Sequence, residues 1–384
     1  TLQRKFGWNC LKMTPQFIYL EPHGCAANQN NTEIIKGMLI QAGLELTNNP
    51  QIADILIINT CIVKGKIEKS IEHRISILSK LGKPLIVAGC MPEVRKLQGE
   101  NIFLLGTHHI KQILILIKEI AEGKTSELIG NYYLKKRDEI KLNLPKIKER
   151  KTIGITQILE GCNGSCKFCI VKIAKGKLYC YPQERIIKNI QADLASGCKE
   201  IWLTSQDNAA YPELPELINK ITSIPANFKL RIGMMNPNNI LPILPKLIEA
   251  YKNYKVFKFL HIPVQSGSDK ILKAMNRKYK IEDCLKIISA FKQAFPEITI
   301  STDIIAGYPG ELEEDFKESL KLLEEISPDI FNISRYWPIK GTEASLLPQI
   351  PSEVAKKRAK QLHDLHLKLA KQNYEKYKEK NNVV

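Results

Sequence analysis

Short apolar runs recur along this chain of 384 residues, and most are followed by a segment whose apolar residues return every three or four positions. That alternation constrains the fold more than any other feature, because strands alternating with helices build parallel sheets covered on their faces. The first runs are Phe17–Leu20, Asp54–Asn59 and Pro84–Ala88, with helical spacing over Thr32–Gly43 and Ile67–Leu81 between them. They predict a small doubly wound parallel domain over residues 16–125. A second series starts at residue 151, with candidate strands Ile153–Ile158, Glu200–Thr204, Lys229–Met234, Val256–Val264, Ile298–Ile305 and Asp329–Tyr336. Helical spacing fills Arg185–Ser196, Ile240–Ala250, Glu282–Ala294 and Leu312–Ile326. Six β/α units are too few for a closed eight-unit barrel and predict an open, partial (β/α)6 barrel over residues 151–345.

The α/β rhythm fails in two places. Residues 126–150 are Lys-rich and charged and read as a basic linker, either solvated or facing a nucleic acid. Residues 346–384 read as a basic C-terminal helical segment that Ser352 caps after Pro351, with Leu362, Leu365, His366 and Leu369 on one face packed against the barrel. Lys and Arg number 57 against 40 Asp and Glu, a formal charge of +17, which points to a polyanionic partner, most often nucleic acid. No apolar run approaches the roughly 20 residues a membrane helix needs, so a cytoplasmic monomer with no membrane partner is expected.

Ten cysteines stand in this chain, and in a reducing compartment clustered cysteines indicate metal or catalysis. The segment EGCNGSCKFC places Cys162, Cys166 and Cys169 at C-x3-C-x2-C spacing directly after the first barrel strand. A four-iron cluster normally takes four thiolates, so three would leave one iron open. A structural zinc site with one further ligand is the other reading of the same spacing. Cys25, Cys61 and Cys90 each follow an apolar run of the first domain, which puts all three beyond the carboxyl ends of strands in one predicted parallel sheet. Adjacent loops converge there and ligands gather. Cys10, Cys180, Cys198 and Cys284 show no mutual spacing and read as small buried or surface residues.

The C-x3-C-x2-C loop resembles the signature of the radical S-adenosylmethionine (SAM) superfamily, with Phe168 at its aromatic position. The resemblance implies a 4Fe-4S cluster on Cys162, Cys166 and Cys169 whose open iron chelates SAM, with Phe168 beside the adenine. The segments HGCAANQNNTE, INTCIVKGKIE and VAGCMPEV resemble the N-terminal domain of the methylthiotransferases of that superfamily. This implies a second 4Fe-4S cluster on Cys25, Cys61 and Cys90, whose open iron carries the sulfur to be transferred. From Phe17 to Ala344, the stretches LPKIKERKTIGITQILEGC, EIWLTSQDNAAY, LRIGMMNPNNI, FLHIPVQSGSDKILKAMNRKY and TDIIAGYPGELEEDF resemble the archaeal and eukaryotic branch acting on tRNA N6-threonylcarbamoyladenosine. The reaction so implied places a methylthio group at C2 of that nucleoside next to the anticodon, consumes two SAM and draws on an electron donor protein.

Polar residues stand at the expected carboxyl ends of the barrel strands: Ser205, Gln206 and Asp207; Asn236; Gln265 and Ser266; Asp303; Ser334 and Arg335. In β/α barrels this rim carries the active site. Gln206, Gln265 and Arg335 are the candidates for SAM contacts. Gly307–Gly310 reads as a tight turn rather than a phosphate loop, since Pro309 removes a donor. Two departures stand out. Ile339 and Lys340 replace an arginine–proline pair that many relatives carry, and the C-terminal RNA-binding β-barrel that the resemblance implies is expected to be absent or removed. The rival readings are a methylthiotransferase for isopentenyladenosine in tRNA, one for a ribosomal-protein aspartate, and a non-catalytic RNA-binding protein with cysteine-held zinc.

Overall fold

The computed structural model describes residues 15–62, 65–134 and 139–381, so Cys10 lies outside the described residues. The described residues form two compact units, one of those up to 163 together with 170–201, the other of 164–169 together with those from 202 onward.

The first unit opens with β1 (Phe17–Pro22), α1 (Ala26–Gln41), β2 (Glu45–Thr47), β3 (Ile55–Thr60), α2 (Gly65–Ser79), β4 (Leu85–Gly89), β5 (Ile102–Gly106), α3 (Ile113–Ala121) and α4 (Ser126–Ile129). The five strands form one parallel sheet in the order β2-β1-β3-β4-β5. Every residue of β3 and β4 is buried, which is why their sequences run apolar without alternation. Ile18, Ile57, Ile86 and Leu105 of the sheet pack with Ile34 and Leu39 of α1 and Ile113 and Leu116 of α3. The sequence reading contained three of these strands. β2 has only three residues and none of them is fully buried, so it leaves no apolar run. Helix α1 begins six residues before Thr32 because its first turns bury Asn28, Asn30 and Asn31, which hydrophobic spacing cannot register.

Part of the segment expected as a basic linker is buried. Past α4, Glu139, Lys141 and Leu142 are buried, Lys141 at 0 % exposure, and Lys146 donates to the Ile155 carbonyl at 3.0 Å. Composition marks lysine as solvated, yet its alkyl stem packs well wherever the ammonium finds acceptors. The unit continues through β6 (Ile153–Gln157), β7 (Leu159–Glu160), α5 (Val171–Lys175), β8 (Tyr179–Cys180) and α6 (Gln183–Ala195), with β7 and β8 antiparallel. The first β/α pair expected in the barrel therefore counts with the first unit.

The second unit carries β9 (Glu200–Thr204, from its third residue), α7 (Leu214–Thr222), β10 (Lys229–Ile232), α8 (Pro237–Ile240), α9 (Leu244–Tyr251), β11 (Phe259–His261), α10 (Asp269–Ala274), α11 (Ile281–Ala294), β12 (Thr299–Ala306), α12 (Glu313–Ile326), β13 (Ile330–Arg335) and α13 (Ser352–Asn381). β11, β12 and β13 lie side by side in parallel, β9 neighbours β10, and Leu230 bridges Val256. The strand expected over Val256–Val264 shrinks to three residues. Pro263 has no N–H for a ladder, and Gln265 takes a left-handed φ of 74°. Gly307–Gly310 is a turn closed by the Glu311 N–H on the Tyr308 carbonyl at 3.0 Å. Leu362 and Leu369 of α13 are buried as the periodicity requires, the His366 ring meets the Phe331 edge at 4.3 Å, and Arg358 pairs with buried Glu311 at 2.8 Å. Among the described residues no helix is long and apolar enough to cross a membrane.

Candidate metal centres

Sheet register brings the first cysteine trio to one edge. Thr60, Gly89 and Gly106 are lateral neighbours across β3, β4 and β5, so the residues that follow them, Cys61, Cys90 and Thr107, leave the sheet side by side. β1 enters the same edge through His23, whose N–H bonds the Asn59 carbonyl at 2.8 Å. Gly24, at φ 122°, passes so near Cys61 that an added Cβ would collide with the Cys61 Cβ and the Asn28 side chain. Asn28 ties the three loops together. Its amide donates to the Thr60 carbonyl at 2.7 Å and the His23 carbonyl at 3.0 Å, and its oxygen accepts from the Cys90 thiol at 3.9 Å. Cys25 is exposed while Cys61 and Cys90 are buried. Burial pushes the Cys90 thiol up to about 12; Lys175 opposes that, and Cys25 and Cys61 add to it.

Beside this edge sits an ion network that sequence reasoning missed. Lys175 donates to the Thr107 hydroxyl at 2.5 Å and to Glu160 Oε1 at 2.7 Å. Lys141 donates to the same carboxylate oxygen at 2.6 Å and to the Thr107 carbonyl at 2.8 Å. All four residues are buried. Burial alone would raise the Glu160 carboxyl, but the two ammoniums outweigh it and hold the group well below the usual carboxylate range. Only the residue types could have signalled this, and lysines in a charged segment give no such signal.

The second loop is pinned at its backbone. In the first unit Gly161, at φ 76°, has no room for a Cβ beside the Lys177 carbonyl, and the Cys162 N–H bonds the Gly176 carbonyl at 3.3 Å. In the second unit the Lys167 N–H bonds the Met275 carbonyl at 3.1 Å, and the Lys167 carbonyl accepts from Ala344 at 3.0 Å. The Asn276 amide holds the Ser165 carbonyl at 2.9 Å, and the Cys169 N–H bonds the Cys166 carbonyl at 3.1 Å. Arg277 donates to the Cys166 sulfur at 3.3 Å and to Asn236 Oδ1 at 2.8 Å. Burial works against its charge, and the Tyr279 hydroxyl and Cys166 sulfur beside it prevail and raise its pKa. Phe168 packs with Ile271, Met275, Ile305 and Tyr308, meeting Tyr308 edge-on at 6.5 Å. Tyr308 in turn meets Tyr336, the residue after Arg335, at 5.4 Å.

The rim residues divide by partner. Ser266 and Asp303 are engaged within the fold, Ser266 with the Ser268 N–H and Asp303 with His261 at 2.7 Å. Ser205 Oγ and Gln206 Oε1 are buried without a hydrogen-bond partner, as expected of atoms awaiting a ligand. Gln265, four residues past β11, and Arg335, the last residue of β13, are partly buried. Among the described residues no three Cys, His, Asp or Glu side chains converge as a single ion would require.

Asp207 holds Asn236 and Asn239 through hydrogen bonds of 2.9 and 2.7 Å. Burial raises its carboxyl from 3.8 to about 6, and those bonds only partly oppose the shift. The native state therefore binds this proton more tightly than the unfolded chain, and stability falls as pH rises through that window. Urea denaturation at pH 4 and pH 7 should show a decline of up to about 3 kcal/mol from this group, which Asp207→Asn abolishes.

Comparison with known proteins follows the same division. The profile described as "Radical SAM superfamily" matches residues 156–323, enclosing Cys162, Cys166 and Cys169. "Uncharacterized protein family UPF0004" matches residues 17–106, enclosing Cys25, Cys61 and Cys90. A relative from Pyrococcus horikoshii, named "Probable threonylcarbamoyladenosine tRNA methylthiotransferase", is 39% identical over 94% of this chain and 86% of its own. The human protein named "Threonylcarbamoyladenosine tRNA methylthiotransferase" is 35% identical over 90% of this chain and 62% of its own. Among solved structures, the radical SAM methyltransferase TsrM from Kitasatospora setae, with cobalamin and a [4Fe-4S] cluster bound, aligns at TM-score 0.63. That alignment covers 87% of this chain and 77% of TsrM, and at 13% identity it speaks for the fold alone. With more than a third of its residues shared along nearly its whole length, the chain belongs to the radical SAM family of threonylcarbamoyladenosine tRNA methylthiotransferases.

Proposed function

We propose that this enzyme methylthiolates N6-threonylcarbamoyladenosine next to the anticodon of tRNA, using two 4Fe-4S clusters and two SAM. In this reading Cys162, Cys166 and Cys169 ligate the SAM cluster, and Cys25, Cys61 and Cys90 ligate the second. One observation carries it: the loops bearing Cys61 and Cys90 leave adjacent strands at one sheet edge, with the residue before Cys25 packed against Cys61, in a chain 39% identical to a relative that bears this activity in its name. When bound, the clusters and SAM supply a 5′-deoxyadenosyl radical able to take hydrogen from adenine C2, together with the sulfur and methyl that replace it.

The chain's own residues then bind, orient and shield. Arg277 fixes the Cys166 sulfur, while Met275, Asn276 and Ala344 hold the loop around it. The unpartnered Gln206 Oε1 and Ser205 Oγ offer polar contacts to SAM, with Gln265 and Arg335 as further contacts and Phe168 beside the adenine. The charge of +17 and the exposed Lys356, Lys357, Lys360, Lys368 and Lys371 of α13 attract a polyanion. A protein electron donor, a monomeric state and a cytoplasmic setting accompany the proposal. Nucleoside mass spectrometry after anaerobic reconstitution with SAM and a reductant tests it. The expected result is a methylthio group on threonylcarbamoyladenosine; the same group on isopentenyladenosine or on a ribosomal protein, with none on this nucleoside, would overturn the assignment.

A further inference from the structure

We infer that Lys175 is a positioning residue for the first trio: its ammonium is the buried counter-cation of the anionic iron–sulfur group that Cys25, Cys61 and Cys90 hold. The inference rests on the second-cluster reading above and adds to it a residue outside the ligand set.

Placement is the first argument. Thr107 follows Gly106 as Cys90 follows Gly89, and Gly89 and Gly106 are register partners, so Thr107 leaves the sheet's carboxyl edge beside Cys90. Lys175 is clamped to that hydroxyl at 2.5 Å and is only 3% exposed. It arrives from outside the sheet, as the last residue of α5, before Gly176 turns the chain away at φ 73°.

Charge is the second. A buried ammonium is tolerated only when an anion answers it. Glu160 Oε1 accepts from Lys175 and Lys141 together, so one carboxylate oxygen is divided between two cations. Glu139 also acts on Lys141, whereas the further groups that act on Lys175 are Cys90 and Cys25. An ammonium has three N–H donors, and Thr107 and Glu160 take two of those on Lys175. A lysine serving only as a structural partner for Glu160 would duplicate Lys141. One turned toward a thiolate trio would instead neutralise part of its charge and lend a hydrogen bond to sulfur. Net charge and hydrogen bonds to sulfur are what set a cluster's reduction potential.

The test uses the full chain carrying Cys162→Ala, Cys166→Ala and Cys169→Ala, so that iron reports on the first trio alone. After anaerobic reconstitution, iron and sulfide are counted and the midpoint potential is measured by titration followed with electron paramagnetic resonance. The parent is expected to bind about four iron per chain. Lys175→Met should shift its potential to a more negative value, because a nearby positive charge that favoured the reduced state is gone. Lys175→Arg should stay close to the parent. A parent without iron overturns the second-cluster reading itself. A loaded Lys175→Met protein with unchanged potential overturns the role of the lysine. Should Lys175→Met not fold, Thr107→Val is read in its place, since it removes the hydroxyl that aims the ammonium: a negative shift supports the inference and an unchanged potential overturns it.

Discussion

Replacing Cys25, Cys61 and Cys90 together by alanine is expected to remove about half of the iron and sulfide that the wild-type chain takes up on anaerobic reconstitution, because each trio would serve one four-iron cluster. The fold should survive the change. Cys25 is exposed, and Cys61 and Cys90 sit at the sheet edge rather than among the apolar residues of the β1–β5 core. The loops keep the Asn28 hydrogen bonds to the Thr60 and His23 carbonyls, which do not involve sulfur. The variant should still cleave SAM to 5′-deoxyadenosine, since the Cys162–Cys169 loop keeps its own anchors on Met275, Asn276 and Ala344. It should make no methylthio nucleoside. Iron counting by colorimetry together with chromatography of both products separates the two functions; full iron retention would exclude a cluster on this trio.

Glu160→Ala is expected to destabilise the folded chain by about 3–5 kcal/mol, the range found when one partner of a buried ion pair is removed. The cost arises from the two ammoniums left behind. Lys141 is 0% exposed and Lys175 3%, and neither has another carboxylate bonded to it among the described contacts. The sign with pH follows from the same network. Lys141 and Lys175 hold the Glu160 carboxyl below its ordinary range despite its burial, so its contribution is complete above the unfolded carboxylate value and is lost as pH falls through the folded one. Acid titration of wild-type stability should therefore contain a falling limb below about pH 4 that Glu160→Ala lacks. Urea unfolding across that range measures both effects, and a loss below 1 kcal/mol would show that the lysines find other partners.

The parts of this molecule that sequence made visible are those where one physical demand dominates. β3 and β4 are buried on both faces, so their residues are apolar up to the polar Asn59 and Thr60 that close β3, and the runs mark the strands to within a residue. The cysteines at 61 and 90 were legible as edge residues because each directly follows such a run. β5 meets the same demand but its short IFLLG run has no cysteine behind it, and the strand went unread. The buried lysines were illegible for a different reason. Lys141 and Lys175 look like any surface lysine in composition, and only the three-dimensional approach of Glu160 and Thr107 makes their burial tolerable. Arg277 was hidden likewise: it sits inside a quoted motif, yet its bond to Cys166 spans 111 residues. The rim behaved in between. Strand ends located Gln206 and Asp207 correctly at the close of β9, while the outward or inward role of each depended on partners that no periodicity encodes.

Glu160 and Lys175, joined side chain to side chain at 2.7 Å, are 15 residues apart, and Cys162, Cys166 and Cys169 lie on the span between them. The pair is thus a clasp at the neck of that span, reinforced by the Cys162 N–H bond to the Gly176 carbonyl and by the pairing of β7 with β8. A loop closed at its base has less conformational freedom to lose when its side chains gather around a common centre. Loosening the clasp at Glu160 or Lys175 is therefore expected to reach the second cysteine set through the covalent chain.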